Sequence, residues 1–420
     1  MTTASVVLIV RGAREAALAA ALDGHPDLTV VRRCADLTEG VAAVEAGHGS
    51  IVVLSEQPDL DREIVARLSA AGAVVVGAPA TVDAREHLEA LGTDEVIPPG
   101  GDAVDVAAAV LAALDRGSPL PPVPPVPPDR GRRGAVVALW GPTGAPGRTT
   151  VAVNLAAELA AAGTDTLCVD VDTYGGAVSH ALGLLDEAPG IAALARASRN
   201  GVLDDDVVRR YALEAAPRLR VLGGLGRPER WPELSRAALD PVWPVLRRHA
   251  EATVVDCGFS CEEDERLSYD TRAPQRNAAT LSALAEADVL IVVGRAEPLG
   301  IQRLVHALSS LDDSGAAAGA RRLVVVNRVR ASVGGRNPAQ AVADALRRFS
   351  GIPEVWPVPD DPRACDAATI AGRTLRETRP RSPAARALAA LALEVRGTIA
   401  EAGAARDGRD TASRARAAAT

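Results

Sequence analysis

The chain has 420 residues, 48% hydrophobic and 24% charged, which is ordinary globular composition with length for two or three domains; a disordered, collagen-like or disulfide-stapled chain is excluded. Its 46 basic and 54 acidic residues leave a net charge of −8, which argues against a dedicated nucleic-acid coat. All the basic side chains counted there are arginine, and with only four Trp, three Tyr and two Phe the cores must be aliphatic, with few rings for bases to stack on.

The first apolar run, Val6 to Val10, reads as a strand. No basic stretch precedes it, and no run of about 20 apolar residues occurs later, so a leader or a membrane span is not expected and the protein is expected to be cytoplasmic. Helix and strand patterns then alternate: helix 13–22, strand 28–32, helix 37–46, strand 51–54, helix 61–71, strand 73–77, helix 84–91, strand 95–97 and helix 103–114. Aliphatic strands separated by helices specify a parallel α/β sheet with both faces covered. Residues 1–115 resemble the response-regulator receiver domain in this order of elements, but not in chemistry. Ser55 stands where the resemblance requires a phosphate-accepting carboxylate, Val10-Arg11 where it requires an acidic pair, and Val96-Ile97-Pro98-Pro99 where it requires a lysine. Asp59 and Asp61 read as turn residues beside Pro58. The segment is therefore expected to be a pseudo-receiver used for docking or dimerisation.

Residues 116–134 (RGSPLPPVPPVPPDRGRRG) cannot enter a helix interior or a central strand and read as a semi-rigid polyproline linker. Beyond it, Ala135–Leu139 is a strand, followed by Gly141-Pro-Thr-Gly-Ala-Pro-Gly147-Arg148-Thr149-Thr150 and a helical run over 151–161. A strand, a glycine-rich turn and a helix opening on two threonines aims backbone amides and a helix N-terminus at a phosphate, and a hydroxyl at the helix start can ligate Mg²⁺. Arg148 stands where the pattern G-x-x-x-x-G-K-[ST] has lysine, and a planar guanidinium is not equivalent to a compact ammonium. The five cysteines are scattered and read as reduced thiols; Cys257 and Cys261 lack the second pair a metal site needs.

The loop and the elements after it resemble the MinD/ParA group of deviant Walker-A ATPases, most of all the CpaE/TadZ-type branch that joins a pseudo-receiver to a MinD-like domain, with the septum-site-determining relatives equally similar. The group's K-G-G-x-G-K-T-T pattern aligns with Thr143 at the signature lysine, then Gly144, Ala145, Pro146, Gly147, Arg148, Thr149 and Thr150, so both lysines are replaced. The resemblance implies an α/β fold of P-loop, MinD-like type with a mostly parallel sheet flanked by helices over 135–399; residues 400–420, small or charged and without periodicity, read as a disordered tail. It implies ATP and Mg²⁺ as cofactors, with phosphates on residues 144–150. Thr166–Asp172 is a buried strand ending in D-x-D, in which the resemblance makes Asp170 a Mg²⁺ residue and Asp172 the carboxylate that orients water. Glu251–Gly258 resembles Walker B, with Asp256 and Thr149 in the Mg²⁺ shell. Leu323–Asn327 and Pro357–Asp361 resemble the strands that close on the base, which makes Asn327 and Asp361 nucleotide-binding candidates; Asn327 can also be read as a turn cap.

With Thr143 unable to supply a cation across a dimer, weak hydrolysis or none is expected unless an arginine such as Arg148 or Arg295 substitutes. The expected function is an ATP-binding spatial regulator that positions a Flp/type IV pilus apparatus or the division septum through a nucleotide-linked homodimer, recruited to pole or septum by pilus, secretion or division proteins. A catalytically silent scaffold and a ParA-like DNA-partition ATPase are the alternatives. The helix pattern over 383–400 is Ala/Leu-rich, without Trp or Phe, and reads as packing on its own domain, leaving at most indirect membrane association.

Overall fold

A computed structural model describes residues 3–12, 14–57, 59–101, 103–115, 134–144, 147–184, 190–262 and 275–417, with the backbone alone at 103, 114–115 and 402–417. Contacts divide the chain into two compact units, Met1–Asp129 with Arg196–Leu203, and Arg130–Ala195 with Asp204–Thr420.

In the first unit, β1 (Ala4–Ile9), β2 (Leu28–Arg33), β3 (Ile51–Leu54), β4 (Val74–Gly77) and β5 (Glu95–Val96) form a parallel sheet in the order β2-β1-β3-β4-β5. This is the doubly wound, flavodoxin-like order. Helices α1 (Arg14–Asp23), α2 (Leu37–Glu45), α3 (Arg62–Ala70), α4 (Val82–Leu91) and α5 (Ala103–Asp115) connect the strands, and every residue of β3 and β4 is buried. Asp36, Asp61 and Thr81 cap α2, α3 and α4 through their side chains, which gives Asp61 a local structural task. Ser55, directly after β3, is buried and accepts from the Arg11 amide at 3.2 Å.

The second unit is built on eight strands: β6 (Ala135–Trp140), β7 (Thr166–Val171), β8 (Leu213–Ala216), β9 (Leu219–Leu222), β10 (Ala252–Cys257), β11 (Val289–Arg295), β12 (Arg321–Val329) and β13 (Trp356–Pro359). Their order is β13-β12-β11-β6-β10-β7-β9-β8, parallel throughout except where β8 turns back on β9. The strand β6 lies between β10 and β11, so the chain leaving it must cross β10 to reach β7. In open α/β sheets that crossing opens a crevice at the carboxyl edge, where ligands bind.

Helix α6 (Arg148–Ala161) makes the crossing, and residues 151–160 are buried all round. Its one amide side chain, Asn154, is satisfied twice: Nδ2 donates to Thr150 O at 2.8 Å and Oδ1 accepts from the Leu375 amide at 2.7 Å. Four more helices matter here: α7 (Ala278–Glu286), α8 (Pro298–Ser314), α9 (Pro338–Ser350) and α10 (Pro383–Ala417). Leu388, Leu391 and Val395 of α10 join α6 in the aliphatic core, as the Ala/Leu pattern predicts. The tail expected at 400–420 to lack structure instead continues α10 as far as Ala417, because its Ala and Arg are strong helix formers and no proline interrupts them. Among the described residues no helix is long and apolar enough to cross a membrane.

Candidate functional site

The turn that leaves β6 depends on close backbone approach. A Cβ on Gly141 would overlap the carbonyl oxygen of Val293 in β11. Gly144 (φ +67) and Gly147 (φ +97) adopt left-handed conformations, and a Cβ on Gly147 would overlap the Asn327 amide. Gly147 is also the N-cap of α6, and having no side chain it gives the first amides of the helix no acceptor. A helix start left in this way suits an anion. Thr149 and Thr150 stand in the first turn, whereas Ala145 and Pro146 lie outside the described residues.

Parallel register brings two carboxylates side by side, since Asp256 of β10 pairs with Asp170 of β7. Asp256 is wholly buried, and its carboxyl is pushed up to about 8, first by burial and then by the neighbouring Asp170. Its Oδ2 accepts from Thr149 Oγ1 at 2.6 Å, and its Oδ1 is buried without any partner. Asp170 is pushed up to about 6, again chiefly by burial, and its oxygens accept from the Asp172 and Val178 amides at 3.0 and 3.1 Å. A Cβ on Gly176 or Gly224 would come within 2.9 Å of that carboxylate, so glycines wall it in. Asp170 is thereby engaged by the amides of the chain that follows β7.

Asp172 stands nearer the loop. Its Oδ1 accepts from the Tyr174 and Gly175 amides at 2.9 and 3.3 Å, and its Oδ2 lies 3.4 Å from Arg148 Nη2. Arg148 itself is folded inward: Nη1 donates to Gly141 O at 3.0 Å, and the side chain is only 14% exposed. Its Nε is buried and has no partner. Among the described residues, two unmet groups of opposite character thus meet at the loop, a donor on Arg148 and an acceptor on Asp256 of β10.

Beside the loop lies a cavity of about 320 Å³, bordered by Gly147, Thr150, Asn327, Asp361 and Leu388 among others. Asn327 Oδ1 accepts from the Arg328 amide at 2.8 Å, and Arg328 is one of the few non-glycine residues with positive φ (58°). Asp361 caps the helix Pro362–Ala371 through Oδ1, while its Oδ2 is buried and unpaired. Of the proposed nucleotide residues, the structure therefore gathers Gly144, Gly147, Arg148, Thr149, Thr150, Asn327 and Asp361 at one carboxyl edge of the sheet.

Residues 137–369, more than half of the chain, match the CobQ/CobB/MinD/ParA nucleotide binding domain. The chain belongs to this family. The chromosome-partitioning ATPase Soj of Thermus thermophilus is 30% identical over 267 residues, which cover 63% of this chain and 97% of Soj. An uncharacterised protein of Mycobacterium tuberculosis is 29% identical over 285 residues, 67% of this chain and 68% of its own. Solved structures agree in fold: the cell division ATPase MinD of Pyrococcus furiosus has a TM-score of 0.50 at 22% identity, covering 63% of this chain and 99% of MinD. A ParA family ATPase of Chlorobium tepidum has a TM-score of 0.52 at 17% identity, covering 63% and 99%.

Two features at this family's loop were not legible beforehand. Arg303, in the middle of α8, reaches Thr143 O at 3.5 Å, and its Nη1 takes the space a Cβ on Gly144 would need. Arg295, a candidate substitute cation, is instead paired with Glu297 at 3.1 Å. After β7, Tyr174 packs on Phe259 (centroids 4.6 Å apart) and under Arg276 (4.1 Å), closing the side of Asp172. Sequence spacing carries no signal for these contacts, since Tyr174 and Arg276 are about a hundred residues apart.

Proposed function

We propose that this chain binds an adenine nucleotide with Mg²⁺ at the β6–α6 loop and uses it to hold two copies together, as a spatial regulator with little or no hydrolysis. The observation that carries this reading is the pair of buried, opposite orphans, Arg148 Nε and Asp256 Oδ1, in a family of nucleotide-binding domains. A phosphate would satisfy the donor and the uncapped start of α6; a divalent cation would satisfy the acceptor, with Thr149 beside it. Asn327 and Asp361 border the cavity where the base would lie. Mg²⁺ would supply charge neutralisation for the phosphates.

Slow turnover follows from Asp172. Both of its oxygens are engaged, one by two amides and the other by Arg148, so it is poorly placed to orient a water. A bound nucleotide can still bias an association equilibrium without being cleaved. The doubly wound first unit, with buried Ser55 at the acceptor position, suits a docking or dimerising pseudo-receiver in the CpaE/TadZ manner, and hence a role in placing a pilus or division apparatus.

The test is the solution mass of the full chain, measured by light scattering with Mg²⁺ and ATP, ADP or neither, alongside phosphate release. Mass should double with ATP at a turnover well below one per minute. One specific observation favours the silent-scaffold reading: Arg148 is closed onto Gly141 O and Asp172. That reading gains if the mass and the melting temperature ignore all nucleotides. ATP-dependent, salt-sensitive DNA binding would favour a partition role like that of Soj.

A further inference from the structure

Of the arginines near the loop, several are already neutralised. Arg148 faces Asp172, Arg295 pairs with Glu297 at 3.1 Å, and Arg330 lies between Glu297 and Asp360 at 3.8 and 3.9 Å. Arg303 differs. Among the described residues it has no carboxylate partner, and its side chain is solvent-exposed. Yet it does not extend into water. It leaves α8 to lie on the loop, with Nη1 3.5 Å from Thr143 O and against the bare Cα of Gly144. Any residue other than glycine at 144 would displace it, so the absent Cβ that permits φ +67 also makes room for the guanidinium.

An unpaired guanidinium held over a loop whose other cation is turned inward calls for an anion. We infer that Arg303 is the cation this same chain lays against the phosphates of its nucleotide. The inference rests on the reading of the loop as a nucleotide site. Among the described residues the five N–H donors of Arg303 have one long contact to a carbonyl, which leaves most of the fork free for phosphate oxygens. Leu304, the next residue, is wholly buried, so the register of α8 fixes where the Arg303 side chain starts.

The experiment is calorimetric titration of the full chain with Mg·ATP and Mg·ADP, for wild type, Arg303→Gln and Arg303→Lys, with melting temperatures as a control of folding. Arg303→Gln should weaken ATP about tenfold, the usual scale of one charge-assisted contact, and Arg303→Lys, which keeps the charge but not the fork, should recover only part of that loss. Melting without nucleotide should not move, since the residue is exposed. Binding by Arg303→Gln within about twofold of wild type would overturn the assignment while leaving the loop as a nucleotide site. Normal ATP binding with loss of the mass doubling would also overturn it, placing Arg303 at a contact between copies. A wild type that binds neither nucleotide removes both this inference and the reading beneath it.

Discussion

Asp256 and Asp170, paired across β10 and β7, share a buried edge that resists two negative charges. Each carboxyl is raised in the folded chain, Asp256 to about 8 and Asp170 to about 6, with burial as the first cause. A raised carboxyl holds its proton longer when folded than when unfolded. Its contribution is therefore full below the unfolded value of about 4 and is lost as pH rises through the folded one. Without Mg²⁺, urea unfolding should show stability falling between about pH 4 and 8, and Asp256→Asn should flatten that slope. At pH 9 the variant should be the more stable; a slope unchanged from wild type would mean that Asp256 ionises freely. Gly147 makes a second residue-scale test. Gly147→Ala must place a Cβ at φ +97 and against the Asn327 amide, so it should cost about 1–3 kcal/mol and lower the thermal midpoint.

At the scale of elements, α6 connects the loop to the rest of the second unit. Asn154 ties Thr150 O to the amide of Leu375, where Thr374 and Glu377 form a capping box at the start of the short helix Leu375–Thr378. Replacing Asn154 by Leu keeps the volume but strands a buried amide, at a cost of about 1–3 kcal/mol by chemical denaturation. Equal stability would show that water satisfies the freed amide. The strands were legible because runs such as Val289–Val293 and Leu323–Val326 are buried on both faces and read as continuous aliphatics. Helix α8 is not assigned from the sequence: it opens Pro298-Leu299-Gly300, although proline at the first turn is favourable. The β8 edge was missed too, since Leu213–Ala216 is short, half-exposed and without alternation. Phosphate-loop residues could be read from glycine spacing, but the inward fold of Arg148 and the reach of Arg303 are set by packing between distant elements.

The whole molecule is an acidic, two-unit chain, and the proposed function has its nucleotide act by binding and not by being consumed. Ligand linkage then predicts that Mg·ATP raises the melting temperature of the full chain, by a free energy that grows with the logarithm of its concentration. This rise depends on the loop opening to an anion. The most direct measurement is a crystal structure grown with Mg²⁺ and a non-hydrolysable ATP analogue. Phosphate oxygens should lie on Arg148 Nε and Arg303, with Mg²⁺ beside Thr149 and Asp256. An empty loop, with Arg148 still closed on Gly141 and Asp172 at saturating analogue, would contradict this placement.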